Sequence, residues 1–120
     1  MIPSGVQVFV AVEPVDLRYG FERLAGLAAA RMGYDARSGA LFVFLGRRGG
    51  TAKVLFFDGT GMCLFHKRLD RGTFQRPLSP EPGATHVEVD EATFETLLDG
   101  LPISPQAPRE PKPRTRRRLQ

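Results

Sequence analysis

The sequence predicts a small α+β domain: an antiparallel sheet of four to five strands with a central meander, two packing helices and a disordered basic C-terminal tail. Three short apolar runs, rich in Phe, Val and Leu, alternate with Gly-rich links over residues 41–69, which is typical of strands. Two other stretches carry apolar residues at three- and four-residue steps, which predicts amphipathic helices. We therefore expect one α+β domain over residues 1–103, followed by a tail over residues 104–120.

The central meander is predicted from the runs 41–45, 53–57 and 62–69. Asp58-Gly59 between the second and third runs indicates a hairpin, because Gly accepts the positive φ that such turns require. The runs are apolar at consecutive positions, so both faces of the sheet should be covered at least in part. Each helix has only one apolar stripe, and we expect residual apolar area on one sheet face to serve a partner or a second copy of the chain.

The N-terminal third is predicted to be a strand followed by a helix. Residues 6–12 are largely β-branched and apolar, which favours a strand. Asp16 is the expected N-cap of the helix, because its carboxylate can accept a hydrogen bond from a first-turn amide. Gly33 is the expected stop. Gly20 would then lie inside the helix, where it costs about 1 kcal/mol relative to Ala.

The C-terminal third is predicted to be an edge strand, a helix and a tail. Residues 85–89 alternate in polarity and indicate a short edge strand. Asp90 is the expected cap of the second helix, which Gly100 and Pro102 should end. Proline and arginine dominate residues 104–120, and such a segment buries too little apolar surface to fold alone.

Charge is segmented along the chain. The net charge of +4 combines four unequal parts. The net is 0 over residues 1–40, +5 over 41–76, −6 over 77–103 and +5 over 104–120. This asymmetry points to a polyanionic partner, most often nucleic acid.

The candidate nucleic-acid-binding residues are cations at the strand ends and in the tail. Solvated strand ends and a tail that only aids solubility are the simpler alternatives. Guanidinium and ammonium groups pair with phosphates and release counterions, so they bind without reading sequence. The candidates are Arg47, Arg48, Lys53, Lys67, Arg68 and Arg71 in the sheet rim, and Arg114, Arg116, Arg117 and Arg118 in the tail.

Catalytic and metal chemistry is not favoured by the sequence. Asp16, Asp58 and Asp70 would suit a metal nuclease if they clustered, but each is explained by a local role as a cap or turn residue. Cys63 and His66 are three residues apart on one predicted strand, so their side chains should point to opposite faces. We predict no catalytic residue, no metal and no cofactor.

The predicted localisation rests on three features that the sequence does not show: paired cysteines, a membrane span and a signal peptide. A single cysteine excludes an intramolecular disulfide framework. No stretch approaches the roughly 20 apolar residues of a membrane span, and the N-terminus does not follow a basic segment with an apolar one. The sequence therefore predicts a cytoplasmic protein without a membrane partner.

A series of short motifs resembles a known family. These motifs cover roughly residues 1–76: Met1-Ile2-Pro3-x-Gly5-Val6, Asp16-x-Arg18-x-Gly20-Phe21, Leu41-Phe42-Val43-Phe44, Gly46-Arg47-Arg48-Gly49, Lys53-Val54-Leu55, Asp58-Gly59-x-Gly61 and Cys63-Leu64-Phe65-x-Lys67-Arg68-Leu69. In order and spacing they resemble the small TnpB-type accessory proteins of the insertion-sequence-66 family of bacterial transposons. Those proteins are distinct from the RNA-guided nucleases that share the TnpB name. This chain departs at Tyr19, where a lysine is common, and at Phe57, where a tryptophan is common.

The resemblance implies an accessory protein encoded beside a larger transposase and needed for transposition, without catalytic residues of its own. With the charge pattern, it predicts a protein that binds nucleic acid or the transposase–DNA complex through the basic rim and tail, with transposon-end DNA or the transposase as partner. The alternative is a protein–protein adaptor that docks the transposase through the acidic segment 81–99 and an apolar sheet face, without touching DNA.

Overall fold

The computed structural model describes residues 5–78 and 81–103, which form a five-stranded sheet and two α-helices. The strand order is β4-β3-β2-β1-β5, so β4 and β5 form the two edges. The predicted α+β class is confirmed. The elements are β1 Val8–Ala11, α1 Phe21–Leu27, β2 Leu41–Leu45, β3 Thr51–Phe57, β4 Met62–Arg68, β5 His86–Val89 and α2 Glu91–Leu98.

The predicted meander is confirmed as β2, β3 and β4, which pair antiparallel in chain order. The β3–β4 hairpin turns at Asp58, as the Asp-Gly pair predicted. Its carboxylate accepts hydrogen bonds from the amides of Thr60 at 2.9 Å and Gly61 at 3.0 Å. The turn is therefore held by side-chain to backbone bonds, which Asp is well suited to make.

The sheet is mixed, because β1 pairs parallel to β2 while every other ladder is antiparallel. We predicted an antiparallel sheet, and this one pair differs. Parallel neighbours need a crossover of a dozen or more residues. Residues 12–40, which contain α1, provide that crossover.

The start of the first helix differs from the prediction. Gly20 is the N-cap of α1 and has an extended backbone, so it lies at the helix end and not inside it. The carboxylate of Asp16 accepts a hydrogen bond from the amide of Arg18 and forms a local turn. The helix continues as a π-helical turn over Ala28–Met32 and ends at Gly33, whose φ of +79° is left-handed. The predicted stop is confirmed.

The two helices cover opposite faces of the sheet. Phe94 and Leu97 of α2 pack with the valines of β1, β2, β3 and β5. Leu24 of α1 and Ala28 of the following turn pack on the other face, which is rich in Phe. The predicted cap of α2 is confirmed, since the carboxylate of Asp90 accepts a hydrogen bond from the amide of Thr93 at 2.8 Å. The helices therefore cover most of both faces, and of the apolar area that we expected to stay open the described strands leave Phe65 of β4 exposed.

The described part of the chain contains no helix that is long and apolar enough to cross a membrane. The predicted tail, residues 104–120, lies outside the described residues, and so do its four candidate arginines.

Candidate nucleic-acid interface

Arginines from three segments line one open groove at an end of the sheet. The groove has a volume of about 790 Å³. Its walls are the loop that follows β1, the turn between β2 and β3, and the end of β4. The cationic side chains along it are Arg18, Arg47, Arg48 and Arg68, and the one acidic side chain is Asp16. The groove therefore carries a net charge of +3 on its lining residues.

Backbone hydrogen bonds hold the loop after β1 against the β2–β3 turn. The amide of Val15 donates to the carbonyl of Leu45 at 3.0 Å, and Val15 also forms a parallel bridge with Gly46. The amide of Gly46 donates to the carbonyl of Thr51 at 3.0 Å and closes the turn. A Cβ at Gly46 would lie 2.6 Å from the Thr51 Oγ1 within the turn, and 3.1 Å from the Leu17 Cδ1 of the loop after β1. Glycine is thus required for the two walls to approach this closely.

Asp16 orients Arg18 through a bidentate contact. The Arg18 Nε donates to Oδ1 at 3.0 Å and Nη2 donates to Oδ2 at 2.7 Å. These bonds, with a smaller contribution from the positive charge of Arg47, hold the pKa of Asp16 far below its ordinary value. The Arg18 side chain is nevertheless 90% exposed. Its remaining donors face solvent, so the pair presents a positioned guanidinium.

The other three groove arginines form no ion pair with a carboxylate of the described residues. Arg47, Arg48 and Arg68 are all exposed. Arg47 and Arg48 occupy the tip of the β2–β3 turn, and Arg68 is the last residue of β4. Their positive charge is therefore available to an external anion.

Three predicted rim residues lie elsewhere. Lys53 is only 8% exposed, and its Nζ donates to the carbonyl of Tyr19 at 2.9 Å. The Nζ of Lys67 donates to the carbonyl of Leu98 at 2.6 Å, where α2 ends. Both lysines are engaged with backbone, and neither lines the groove. Arg71 is exposed and also lies off the groove lining.

Lys67 and Arg68 occupy opposite faces of β4, as neighbours on a strand must. This parity is visible in the sequence and was the signal that should have separated them. Two arginines were missed by sequence reasoning. Neither Arg18 nor Arg76 is among the predicted nucleic-acid-binding residues. The Nη2 of Arg76 donates to the carbonyl of Gly46 at 3.1 Å and supports the turn.

The described residues contain no group of three or more His, Cys, Asp or Glu side chains arranged to hold a metal. Cys63 and His66 lie opposite Phe56 and Lys53 in the β3–β4 ladder, so they point to opposite faces as predicted. Partial burial raises the pKa of the Cys63 thiol, and the nearby carboxylate of Asp58 raises it further. That thiol is a poor nucleophile near neutral pH.

The chain is similar in sequence to members of one protein family. A family model described as IS66 Orf2 like protein matches residues 6–108. An uncharacterized protein, y4hO, of Sinorhizobium fredii (strain NBRC 101917 / NGR234) is 44% identical over 103 residues, covering 84% of this chain and 87% of the relative. A second uncharacterized protein of that strain, y4jC, is 35% identical over 97 residues, covering 81% of this chain and 80% of the relative. No solved structure matches the chain.

Proposed function

Because the chain belongs to the family of IS66 Orf2-like proteins, we propose that it is a non-catalytic accessory protein of transposition that binds the phosphate backbone of DNA through its arginine groove. The family membership confirms the resemblance derived from the sequence and supports a role associated with an insertion sequence. The observation that carries the binding proposal is the meeting of four arginines and one carboxylate in a single groove.

The chemistry of the groove favours phosphate over base recognition. Guanidinium groups match phosphate oxygens in geometry as well as in charge. The described residues that line the groove include no aromatic ring, whereas proteins that hold single strands commonly stack bases on aromatic side chains. We therefore assign the groove to the backbone of duplex DNA, contacted without sequence readout. The basic tail of residues 104–120 would add to this contact.

A second candidate function rests on the exposed acids of α2. Glu91, Glu95 and Asp99 are exposed on this helix and at its end. A basic surface of the transposase would fit them. The apolar sheet face that the adaptor alternative also invoked is covered by α2 itself, so this candidate depends on charge alone.

One experiment separates the two functions. Binding of the full chain is measured on insertion-end duplex, random duplex and purified transposase, each over a salt titration. We expect both duplexes to bind with similar affinity, and we expect Arg47→Glu/Arg48→Glu to weaken that binding strongly. Glu91→Arg/Glu95→Arg, the matched charge reversal on α2, should leave it intact. Transposase binding without DNA that only the α2 variant destroys would establish the adaptor function instead.

A further inference from the structure

We propose that β4 is a dimer interface, in which the β4 strands of two copies pair antiparallel about a two-fold axis at Phe65. This proposal does not rest on the DNA-binding function, because it is argued from the free edge of the sheet; Arg68, the last residue of β4, also lines the groove. It rests on the hydrogen-bond parity of β4, on an exposed phenyl ring and on the charge distribution along the strand.

The parity of the β3–β4 ladder shows which backbone groups face outward. The amide of Leu69 donates to the carbonyl of Gly50, and the amide of Asp58 donates to the carbonyl of Gly61. These bonds mark the hydrogen-bonded pairs of the ladder, so the odd-numbered residues of β4 bond to β3. The even-numbered residues 62, 64, 66 and 68 consequently direct their N–H and C=O groups away from the sheet. No described strand pairs with that side of β4.

The middle of this edge carries an exposed aromatic ring. Phe65 is 46% exposed and belongs to neither apolar cluster of the core. A seven-residue edge strand with an exposed central phenyl ring is a template for pairing with another strand. β5, at the other edge, has only four residues, His86–Val89, and short edge strands resist such pairing.

The charge distribution along β4 favours antiparallel pairing with a second copy of the chain. From Asp58 to Phe65 the chain has one acidic and no basic side chain, whereas residues 66–71 contain three basic and one acidic. Parallel pairing would place the basic halves of the two strands side by side, and their like charges would repel each other. Antiparallel pairing about Phe65 sets Lys67 opposite Cys63 and Arg68 opposite Met62, with the basic half of each strand near the partner's acidic turn. Like charges are thereby separated and unlike charges approach.

This register is compatible with the outward-facing backbone groups. Residues 64 and 66 of the two copies become hydrogen-bonded partners, and the two Phe65 rings meet at a non-hydrogen-bonded pair. Each copy uses its β4 edge once, so the assembly closes as a dimer and does not extend. The axis is perpendicular to the sheet, so the Arg68 side chains of both copies lie on the face covered by α1, as Met62 and Leu64 do. The two Arg68 residues would be six strand positions apart, which is about 20 Å.

The interface is small, so the dimer should depend on concentration. One strand pair with a central aromatic contact buries less than the roughly 800 Å² per partner of stable complexes. Sedimentation of the full chain over a wide concentration range is expected to show a monomer–dimer equilibrium. Phe65→Arg should raise the dimer dissociation constant at least tenfold. His66→Pro removes an outward amide without removing a bond to β3 and should have a similar effect.

The control is Leu78→Arg, which replaces another exposed apolar side chain, 65% exposed, on the segment that leads to the opposite edge. It should dimerise like the unmodified chain, and circular dichroism of every variant confirms that the fold is retained. A chain that is monomeric at all concentrations would overturn the proposal. Equal losses in Phe65→Arg and Leu78→Arg would overturn it as well, because the interface would then lie elsewhere.

Disulfide cross-linking tests the proposed register of the two β4 strands. In Cys63→Ser/Phe65→Cys the two new thiols face each other at the axis, with Cβ atoms about 4.5–5.5 Å apart. Mild oxidation is expected to give a disulfide-linked dimer that a reductant reverses. The native Cys63 lies opposite Lys67, about 13 Å along the strand from its counterpart, and should not cross-link. Cross-linking through Cys63 alone would refute this register and with it the proposal.

Discussion

The salt dependence of DNA binding should fall by a calculable amount when two groove arginines lose their charge. Each phosphate contact contributes about −0.9 to the slope of log affinity against log salt for duplex DNA. Four groove arginines would contribute about −3.6, which is about a 150-fold loss of affinity between about 50 and 200 mM salt. In Arg47→Gln/Arg48→Gln the slope should flatten by about 1.8, so the loss over the same range should be about twelvefold smaller.

Fluorescence anisotropy with a labelled random duplex gives the slope for the full chain. The tail adds its own contacts, so the difference between variants is the quantity that tests the groove. Arg31→Gln/Arg37→Gln is the matched control, since it removes the same charge from two arginines that do not line the groove. An unchanged slope in the groove variant, or an equal change in both, would refute the assignment of binding to the groove.

Three predictions concern stability and are measured by urea unfolding. Lys53→Met should lower the free energy of unfolding by about 1–3 kcal/mol, because the buried hydrogen bond to the Tyr19 carbonyl is lost, and it should leave the DNA salt slope unchanged. Asp90→Ala should lower it by about 0.5–2 kcal/mol, because the Thr93 amide loses its cap, and Asp90→Asn should recover most of the loss. Hydrogen bonds from turn amides and a hydroxyl lower the pKa of Asp58 to about 2. Its stabilisation should be complete above its unfolded pKa of about 3.9 and lost as the pH falls towards 2, so Asp58→Asn should show a weaker acid dependence over that window.

Strand positions were predictable from the sequence because their signals are local. Apolar runs and Gly-rich links placed β2, β3 and β4 within two residues of their observed ends. Strand direction is not a local property. The alternation in β1 is the same for parallel and antiparallel pairing, and only the length of the crossover before β2 indicates the parallel choice.

The role of Asp16 shows a second limit of local reasoning. An Asp carboxylate can accept an amide hydrogen bond as a helix cap or as a turn residue, and both options satisfy the same residue pattern. The chain uses the turn, which leaves Gly20 as the N-cap. The turn brings Arg18 to the groove.

The structure brings some of the predicted site residues together in the groove, and two physical effects place the others elsewhere. Arg47 and Arg48 at the β2–β3 turn meet Arg68 in the groove. Lys67 is next to Arg68 in the sequence but points to the other face of β4, because strand side chains alternate between faces. Lys53 shares the face of Arg68, but it is buried with its ammonium group on the carbonyl of Tyr19. The long aliphatic stems of lysines also allow their ammonium groups to reach backbone carbonyls from partly buried positions, which a charge count does not anticipate.

The covering of both sheet faces decides where recognition can occur. Phe42 and Phe44 are at most 1% exposed, so the Phe-rich face is core and offers nothing to a partner. The exposed surfaces that carry the two main proposals are the loop end, with its arginines, and the β4 edge, with Phe65. In these proposals the arginines of the groove determine how DNA affinity depends on salt, whereas the β4 edge determines the oligomeric state. If both proposals hold, Phe65→Arg should weaken dimerisation and leave the salt slope per protomer unchanged. Arg47→Gln/Arg48→Gln should flatten the slope and leave the dimer dissociation constant unchanged.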